Sequence, residues 1–495
     1  MDAGYGARMA DRPNLVWFMP DQQRADTVGC FGNPVVHTPT IDALAARGTR
    51  FDNAFVQHSV CGPSRVSQMT GWYPHTAGHR TLDNLIKPWE PNLLRSLREA
   101  GYRVAFAGHR GDVFAPGVTE DSTDFCGLLE PPPPEGLAAM YRSTVPEGSP
   151  LHRAFYFGSA GPEPVVDTDE ATVRTAIRWI TEAAPSDRPW FLWVPLLFPH
   201  PPFVADEPWF SLHDRADMPA PIPAATTSAG AGKPRFMDAY RDIYGWDEVT
   251  DDDFREIRAT YYGMVSRTDD QLRRIMEAVD TAGQTERTGW IYGTDHGEYL
   301  GDYGLVEKWP SGLDPQLTRN PLIISVPGTP EGQVCDAMVE MVDLLPTVLE
   351  LADTEARHSH FGRSLVPLLH DATTPHRDAA FCEGGFRTTD AHLLETAGWI
   401  YEPKGRLQKE RIELVGKASC IRTPDWSYVH RLYEGDELYD RRADPDETVN
   451  LIDAPEALPV VADLRARLFD WYLDTSDVIP WDADPRFPDI EHGYR

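Results

Sequence analysis

The sequence is short of basic residues, of cysteine pairs and of long apolar runs, and each shortage excludes a class of function. Lys and Arg number 46 against 77 Asp and Glu, for a formal charge of -31. A surface of that sign repels the phosphate backbone of nucleic acids and anionic lipid, so neither nucleic acid nor membrane is an expected partner. Six cysteines, at 30, 61, 126, 335, 382 and 420, contain no zinc-type C-x-x-C pair and are too sparse for a disulfide framework. Scattered thiols of this kind suit a reducing compartment. No window is long and apolar enough to span a membrane. The polar start M-D-A-G-Y-G-A-R has no apolar core of the signal-peptide kind, so the expected location is cytoplasmic.

What the chain does have is length. Its 495 residues, 41% of them hydrophobic, can build one large core with a smaller appendage. Buried strands are expected at N-L-V-W-F-M (14–19), 49–56, 102–107, 188–196, 288–294 and P-L-I-I-S-V-P-G (321–328), with the first and last of these parallel. Helices are expected at 38–48 with Thr40 as cap, 63–70, 92–101, 168–180 with Thr168 or Asp169 as cap, 256–279, and 338–352 kinked or divided at Pro346. The irregular stretches 111–165 and 204–250 read as excursions over a site mouth. After residue 375 short alternating runs at 379–383, 419–423, 426–431 and 437–440 predict an antiparallel sheet, closed by a helix at 460–472. The aperiodic tail would wrap a neighbouring element or a partner subunit, which leaves a homo-oligomer open. The expected fold is therefore α/β. A large mixed, mostly parallel central sheet flanked by helices occupies 12–374, and a smaller antiparallel-sheet subdomain with an extended tail occupies 375–495.

In an open α/β sheet, ligands bind at the carboxyl ends of the strands. Two strands here end in residues that could do chemistry: Asp21 after the first, and Asp295 with His296 after 288–294. On residue type alone Asp21 is a metal ligand or a helix cap, and the Asp295–His296 pair is a ligand pair or a cap and turn. The stretch S-V-C-G-P-S-R-V-S-Q-M-T-G (59–71) opens a helix with Cys61 at its start and Arg65 one turn on. Helix N–H groups, a nucleophile and a guanidinium make a seat for a small tetrahedral anion. The next loop, W-Y-P-H-T-A-G-H-R-T-L-D-N, reads as a pocket wall. In it Trp72 and Tyr73 could stack on an aryl or sugar group, and His79 and Asn84 could contact substrate.

Cys61, Pro63, Ser64, Arg65, Thr70 and Gly71 together match C-x-P-S-R-x-x-x-x-T-G, which resembles the signature of the formylglycine-dependent sulfatases, a family with an alkaline-phosphatase-like fold. The same family includes phosphonate monoester and phosphodiester hydrolases. Further matches are P-H-P-P at 199–202, G-L-V-E-K at 304–308, D-L-L-P-T-V at 343–348 and G-R-S-L-V-P-L-L at 362–369.

The resemblance implies that a formylglycine-generating maturation enzyme oxidises Cys61 to 3-oxoalanine, whose hydrate attacks sulfur. It places one divalent ion, calcium by preference and manganese as the alternative suggested by an imidazole ligand, on Asp21, Gln22, Asp295, His296 and the modified Cys61. Gln22 stands where many relatives carry a second aspartate, and it would give the ion a neutral oxygen or orient a neighbour. Around the anion the resemblance places Arg65, His200, Lys308 and His109. At 108–111 the family's G-K-x-H is replaced by G-H-R-G, which leaves Arg110 to supply the missing charge. The implied activity is hydrolysis of a small-molecule or saccharide sulfate monoester, with phosphonate monoester or phosphodiester hydrolysis as the alternative.

Overall fold

A computed structural model describes residues 12–108, 112–183, 188–224, 232–394 and 397–478. The expectations for His109, Arg110 and the C-terminal tail lie outside these residues. The strands, in chain order, are β1 (Asn14–Met19), β2 (Thr49–Phe55), β3 (Arg103–Ala107), β4 (Phe125–Gly127), β5 (Tyr156–Gly161), β6 (Trp190–Pro195), β7 (Phe203–Asp206), β8 (Thr288–Tyr292), β9 (Arg319–Ser325), β10 (Gln333–Glu340), β11 (Ala380–Gly384), β12 (Ala418–Arg422), β13 (Trp426–Arg431) and β14 (Glu437–Asp440).

Eight of them form the central sheet in the order β10-β2-β9-β8-β1-β6-β3-β4. β1 lies parallel to β6 and β8 near the middle. Its continuous apolar run follows from burial on both faces. Leu15, Trp17 and Met19 pack with Val66 and Met69 of the Cys61–Thr70 helix on one face. Val16 and Phe18 pack with Leu272 and Ile275 of the Asp251–Thr281 helix on the other.

Several local expectations are corrected. β9 runs antiparallel to both β2 and β8, not parallel. A strand buried on both faces has the same apolar pattern in either direction, so periodicity could not give its sense. Residues 338–340 end a strand, and the helix after it spans Leu344–Leu351 with Pro346 in its first turn, where no N–H is needed and no kink arises. Thr40 lies inside the Pro39–Ala46 helix, and Asp269 of the long helix accepts from Thr40 N and Ile41 N in place of a local cap. Asp167, one residue before Thr168 and two before Asp169, accepts from Glu170 N at the start of the Thr168–Ala183 helix. Asp169 instead accepts from the backbone of Leu197 and Phe198 just past β6.

The two excursions are more ordered than their composition suggests. The first adds β4 to the sheet edge, and β5 pairs with β7 in a two-stranded parallel sheet. The C-terminal sheet runs β11-β12-β13-β14, antiparallel throughout. The helix Leu458–Thr475 covers it, burying Val461, Leu464 and Leu468 against Ile421, Tyr428 and Leu438. The long link from β11 to β12 does not stay with that sheet. Phe386, Ile400, Leu407 and Leu414 enter the same apolar cluster as Phe155, Tyr240 and Trp309 beside the central sheet. Among the described residues no helix is long and apolar enough to cross a membrane.

Candidate active site

The Cys61–Thr70 helix begins two residues earlier than expected, which puts Cys61 in its first turn, and Gly71 ends it in the left-handed region at φ 70. Ser59 Oγ donates to Trp309 O at 2.8 Å, tying this helix start to the loop that carries Lys308. The Ser64 hydroxyl donates to the Asp295 carbonyl oxygen, tying it to the end of β8 as well. Gly297 lies so close to the Gln316 carbonyl oxygen that an added Cβ would sit 1.9 Å from it, so the turn after His296 requires glycine.

Cys61, Asp21, Asp295 and His296 converge here, all buried, with one ligand atom from each lying within 4.8 Å of the others. Cys61 Sγ is 3.1 Å from His296 Nε2 and 3.7 Å from Asp21 Oδ1. His296 Nε2 is 4.0 Å from Asp21 Oδ1 and 3.9 Å from Asp295 Oδ2. For metal–ligand bonds of about 2.0–2.4 Å, ligands around one ion stand roughly 3–4 Å apart, so these separations and this O, N and S donor set fit one divalent cation. Burial holds the His296 pKa down at about 4, against the pull of Asp295, so the ring is neutral at ordinary pH. With Nδ1–H donating to Gly297 O at 2.9 Å, the Nε2 lone pair faces the cluster, which is the state a metal ligand needs.

Arg65 is on the expected face of the helix, but its guanidinium is not left open for an anion. Nε donates to Asp295 Oδ2 at 2.8 Å, Nη2 to Asp21 Oδ2 at 2.8 Å and Nη1 to Asp112 Oδ1 at 3.2 Å. Two buried carboxylates need a compensating cation, and Arg65 clamps both, leaving Asp21 Oδ1 towards the thiol. The expectation that Arg65 seats the anion is corrected to this bracing role.

Gln22 has left-handed backbone at φ 61, an uncommon geometry for its type that clusters at functional sites. Its N–H donates to Asp295 Oδ1 at 3.0 Å. Its carboxamide bridges Glu298 and Lys308, accepting from Lys308 Nζ and donating to Glu298. Of the two roles open to Gln22, orienting a neighbour is the one its contacts serve. Lys308 Nζ also donates to Glu307 Oε1 at 2.6 Å and meets His200 Nε2 at 3.0 Å. His200 Nδ1–H donates to Pro201 O at 2.6 Å, so its Nε2 is the atom turned to the lysine. Burial works against the Lys308 charge, but Cys61, Glu307 and Asp21 together hold its pKa above the ordinary lysine value. Lys308 and His200, 108 residues apart in sequence, thus stand together.

The side chains of the expected pocket wall turn to protein partners. Trp72 is buried, with Nε1 donating to Ser359 O at 2.7 Å, and its ring packs against His358 and His79. The Tyr73 hydroxyl donates to Glu340 at 2.8 Å, and its ring packs edge-on against Trp471 at 4.9 Å. His79 donates from Nδ1 to Asn84 O at 2.5 Å, with Nε2 3.4 Å from Glu90. The Asn84 side chain accepts from Thr81 at 3.0 Å. These four hold the loop to itself and to neighbouring segments.

Sequence reasoning missed Glu298, Glu307, Lys404 and Tyr401. Glu298 and Glu307 adjoin motif residues, but acidic residues are too common in this chain to stand out. Lys404 forms an ion pair with Glu307, and Tyr401 OH donates to Pro201 O at 3.4 Å. Both come from the β11–β12 link, so the site draws on residues well beyond 374, and no local pattern marks them.

This arrangement defines a class: a hydrolase of the α/β type with a thiol-bearing helix start, a divalent-cation donor set and a lysine–histidine pair at its side. The family model described as Sulfatase matches residues 13–354, and the chain belongs to that family. It is a Sulfatase family enzyme, in a family that hydrolyses sulfate esters. It is 28% identical over 514 residues to the multifunctional alkaline phosphatase superfamily protein PehA of Trinickia caryophylli, covering 94% of this chain and 96% of that one. It is also 28% identical to the uncharacterized sulfatase YidJ of Escherichia coli, over 96% of this chain and 92% of that one. The crystal structure of phosphonate monoester hydrolase of Agrobacterium radiobacter superposes with a TM-score of 0.76 at 24% identity, over 94% of this chain and 96% of that one, and shares the fold.

Proposed function

We propose that the chain hydrolyses sulfate monoesters, of small molecules or saccharides, with a formylglycine made from Cys61 by a maturation enzyme. The observation that carries this reading is the convergence of Cys61 Sγ, Asp21, Asp295 and His296 within 4.8 Å, beside the Lys308–His200 pair. Asp21, Asp295, His296 and the modified residue would hold one calcium or manganese ion. When bound, that ion supplies Lewis-acid charge, which favours ionisation of the hydrate and offsets charge on the ester's non-bridging oxygens.

The chain's own residues do the rest. Arg65 braces Asp21 and Asp295, with one guanidinium nitrogen on each. Lys308 presents an ammonium to the oxyanion and exchanges a donor from His200 or Gln22 to it as the ester enters. His200, fixed through its Nδ1–H, presents Nε2 to the same space, where the ring, once Nε2 has taken up a proton from solvent, can pass that proton to the departing alkoxide and return to the neutral form. Gln22 keeps the Lys308 ammonium in place without adding a third carboxylate to the metal donors.

That neutral Gln22 also supports the second reading, a phosphonate monoester or phosphodiester hydrolase. The two are separated by kcat/KM on matched aryl sulfate, aryl phosphonate and bis-aryl phosphate, using protein of known formylglycine content. The sulfate is expected to be fastest. A phosphonate or diester faster by tenfold, about 1.4 kcal/mol of transition-state preference, would replace the first reading by the second.

A further inference from the structure

Lys404 reaches the site from an unexpected direction. It lies on the Glu402–Glu410 helix, in the link between β11 and β12 of the C-terminal sheet, and is 9% exposed. Its ammonium pairs with Glu307 Oε2. The other oxygen, Glu307 Oε1, accepts from Lys308 Nζ at 2.6 Å, and Oε2 also accepts from Lys308 N at 2.7 Å. Glu307 is wholly buried and sits at φ 69, a left-handed conformation that a glutamate adopts only when its surroundings impose it. Burial raises its pKa, but Lys308, Lys404 and His200 outweigh that and hold it well below the usual carboxylate range.

The charge arithmetic of this trio gives Lys404 a function. Glu307 and Lys308 alone would be a neutral pair, and an ion pair presents little field to an incoming anion. Lys404 takes up the second oxygen of Glu307, so Glu307 neutralises Lys308 less than it would as a two-membered pair, beside His200 and the Cys61 cluster. We propose that Lys404 is a positioning residue that acts through Glu307: by holding that carboxylate's second oxygen it weakens the grip of Glu307 on the Lys308 charge and leaves more of it for the anionic group. This rests on the reading of Lys308 as the cation that meets the ester oxyanion. It also gives the β11–β12 link a part in the reaction, because the link's docking beside the central sheet delivers the balancing charge.

The test is a charge series read by KM, by kcat and by competitive inhibition with inorganic sulfate. Lys404→Met is expected to lower kcat/KM for an aryl sulfate about thirtyfold, near 2 kcal/mol at 1.4 kcal/mol per decade, with the inhibition constant for sulfate rising in parallel. Lys404→Arg should restore most of both. The decisive variant is Lys404→Met combined with Glu307→Gln, which removes one charge of each sign and returns the trio to a net positive charge. It also avoids a buried carboxylate short of a partner, so it keeps the fold if the single variant does not.

The double variant is expected to bind sulfate more tightly and turn over faster than Lys404→Met. A double variant no better than the worse single one would show that Lys404 serves packing alone, and would overturn the inference. So would unchanged kinetics in Lys404→Met while Lys308→Met is disabled. If Lys308→Met itself left kcat/KM and sulfate inhibition unchanged, the underlying reading of Lys308 would fall first, and the inference with it.

Discussion

Asp21, Asp295 and His296 at one end of the Cys61–Thr70 helix, and Trp72, Tyr73 and His79 just past its other end, are buried to a similar degree. Both sets mix polar and aromatic-ring groups. They differ in where their polar atoms point. In the first set the ligand atoms face one another and Cys61 Sγ across 3.1 to 4.0 Å, held there by Arg65, Thr294 and backbone N–H groups. In the second, each polar atom goes to a separate partner: Ser359 O for Trp72, Glu340 for Tyr73, Asn84 O for His79. Burial of polar groups is therefore no mark of a site in this protein. Convergence of several on one point is, because like-charged carboxylates brought together at a cost need a cation to justify the arrangement.

If that contrast is right, substitutions in the two sets should separate cleanly. Asp295→Ala is expected to have the largest effect, a fall in kcat/KM of more than about 10³-fold with loss of the bound ion. Metal analysis beside the parent protein checks it; unchanged stoichiometry and affinity would remove Asp295 from the donor set. Lys308→Met comes next, with an expected loss of about 10²–10³-fold in kcat/KM, the range for removing one oxyanion donor.

On the other side of the comparison, Trp72→Phe strips the Ser359 carbonyl of its donor. It should lower stability by about 1–3 kcal/mol in denaturant unfolding, while kcat/KM of the folded fraction stays within about twofold. A large KM increase with unchanged stability would restore Trp72 to the substrate pocket.

A smaller effect common to both regions concerns pH. Burial lowers the pKa of His58 to about 3 and those of His296 and His358 to about 4. In the unfolded chain these rings titrate near 6.5. The folded state then binds fewer protons than the unfolded state between roughly pH 6.5 and 4, so stability is full above that window and falls as pH drops through it. Thermal melting of the metal-free protein from pH 7.5 to 4 should show a progressive decline that starts near pH 6.5. A flat profile across that range would mean that these rings are not held neutral.

Much of the cluster of Asp21, Cys61, Asp295 and His296 was legible because strand ends can be read from sequence. A run such as N-L-V-W-F-M has one sensible environment, and the residues just after it land at the carboxyl edge of the sheet. Asp21 and the Asp295–His296 pair stand out that way, and the Cys61 motif supplies the fourth member. The pocket wall is misleading in sequence because aromatic and imidazole groups in an aperiodic loop look alike whether they face a ligand or a neighbouring segment. Only the docking of residues 340, 358–361 and 471 shows which. Lys404 has no local signal at all, since its partner lies 97 residues away and is reached through a link that leaves its own sheet. The direction of β9 is lost for a different reason: burial on both faces erases the alternation that would otherwise mark a strand's setting.

The most direct test of the central claim ties the chemistry of residue 61 to activity. Samples made with increasing amounts of the maturation enzyme would be analysed by peptide mass spectrometry for the conversion of Cys61 to formylglycine, and each assayed for kcat per mole of protein on an aryl sulfate. The account predicts activity proportional to the converted fraction, with a line that passes through zero. A sample whose residue 61 is wholly unmodified cysteine, yet hydrolyses the ester at the full rate, would contradict it.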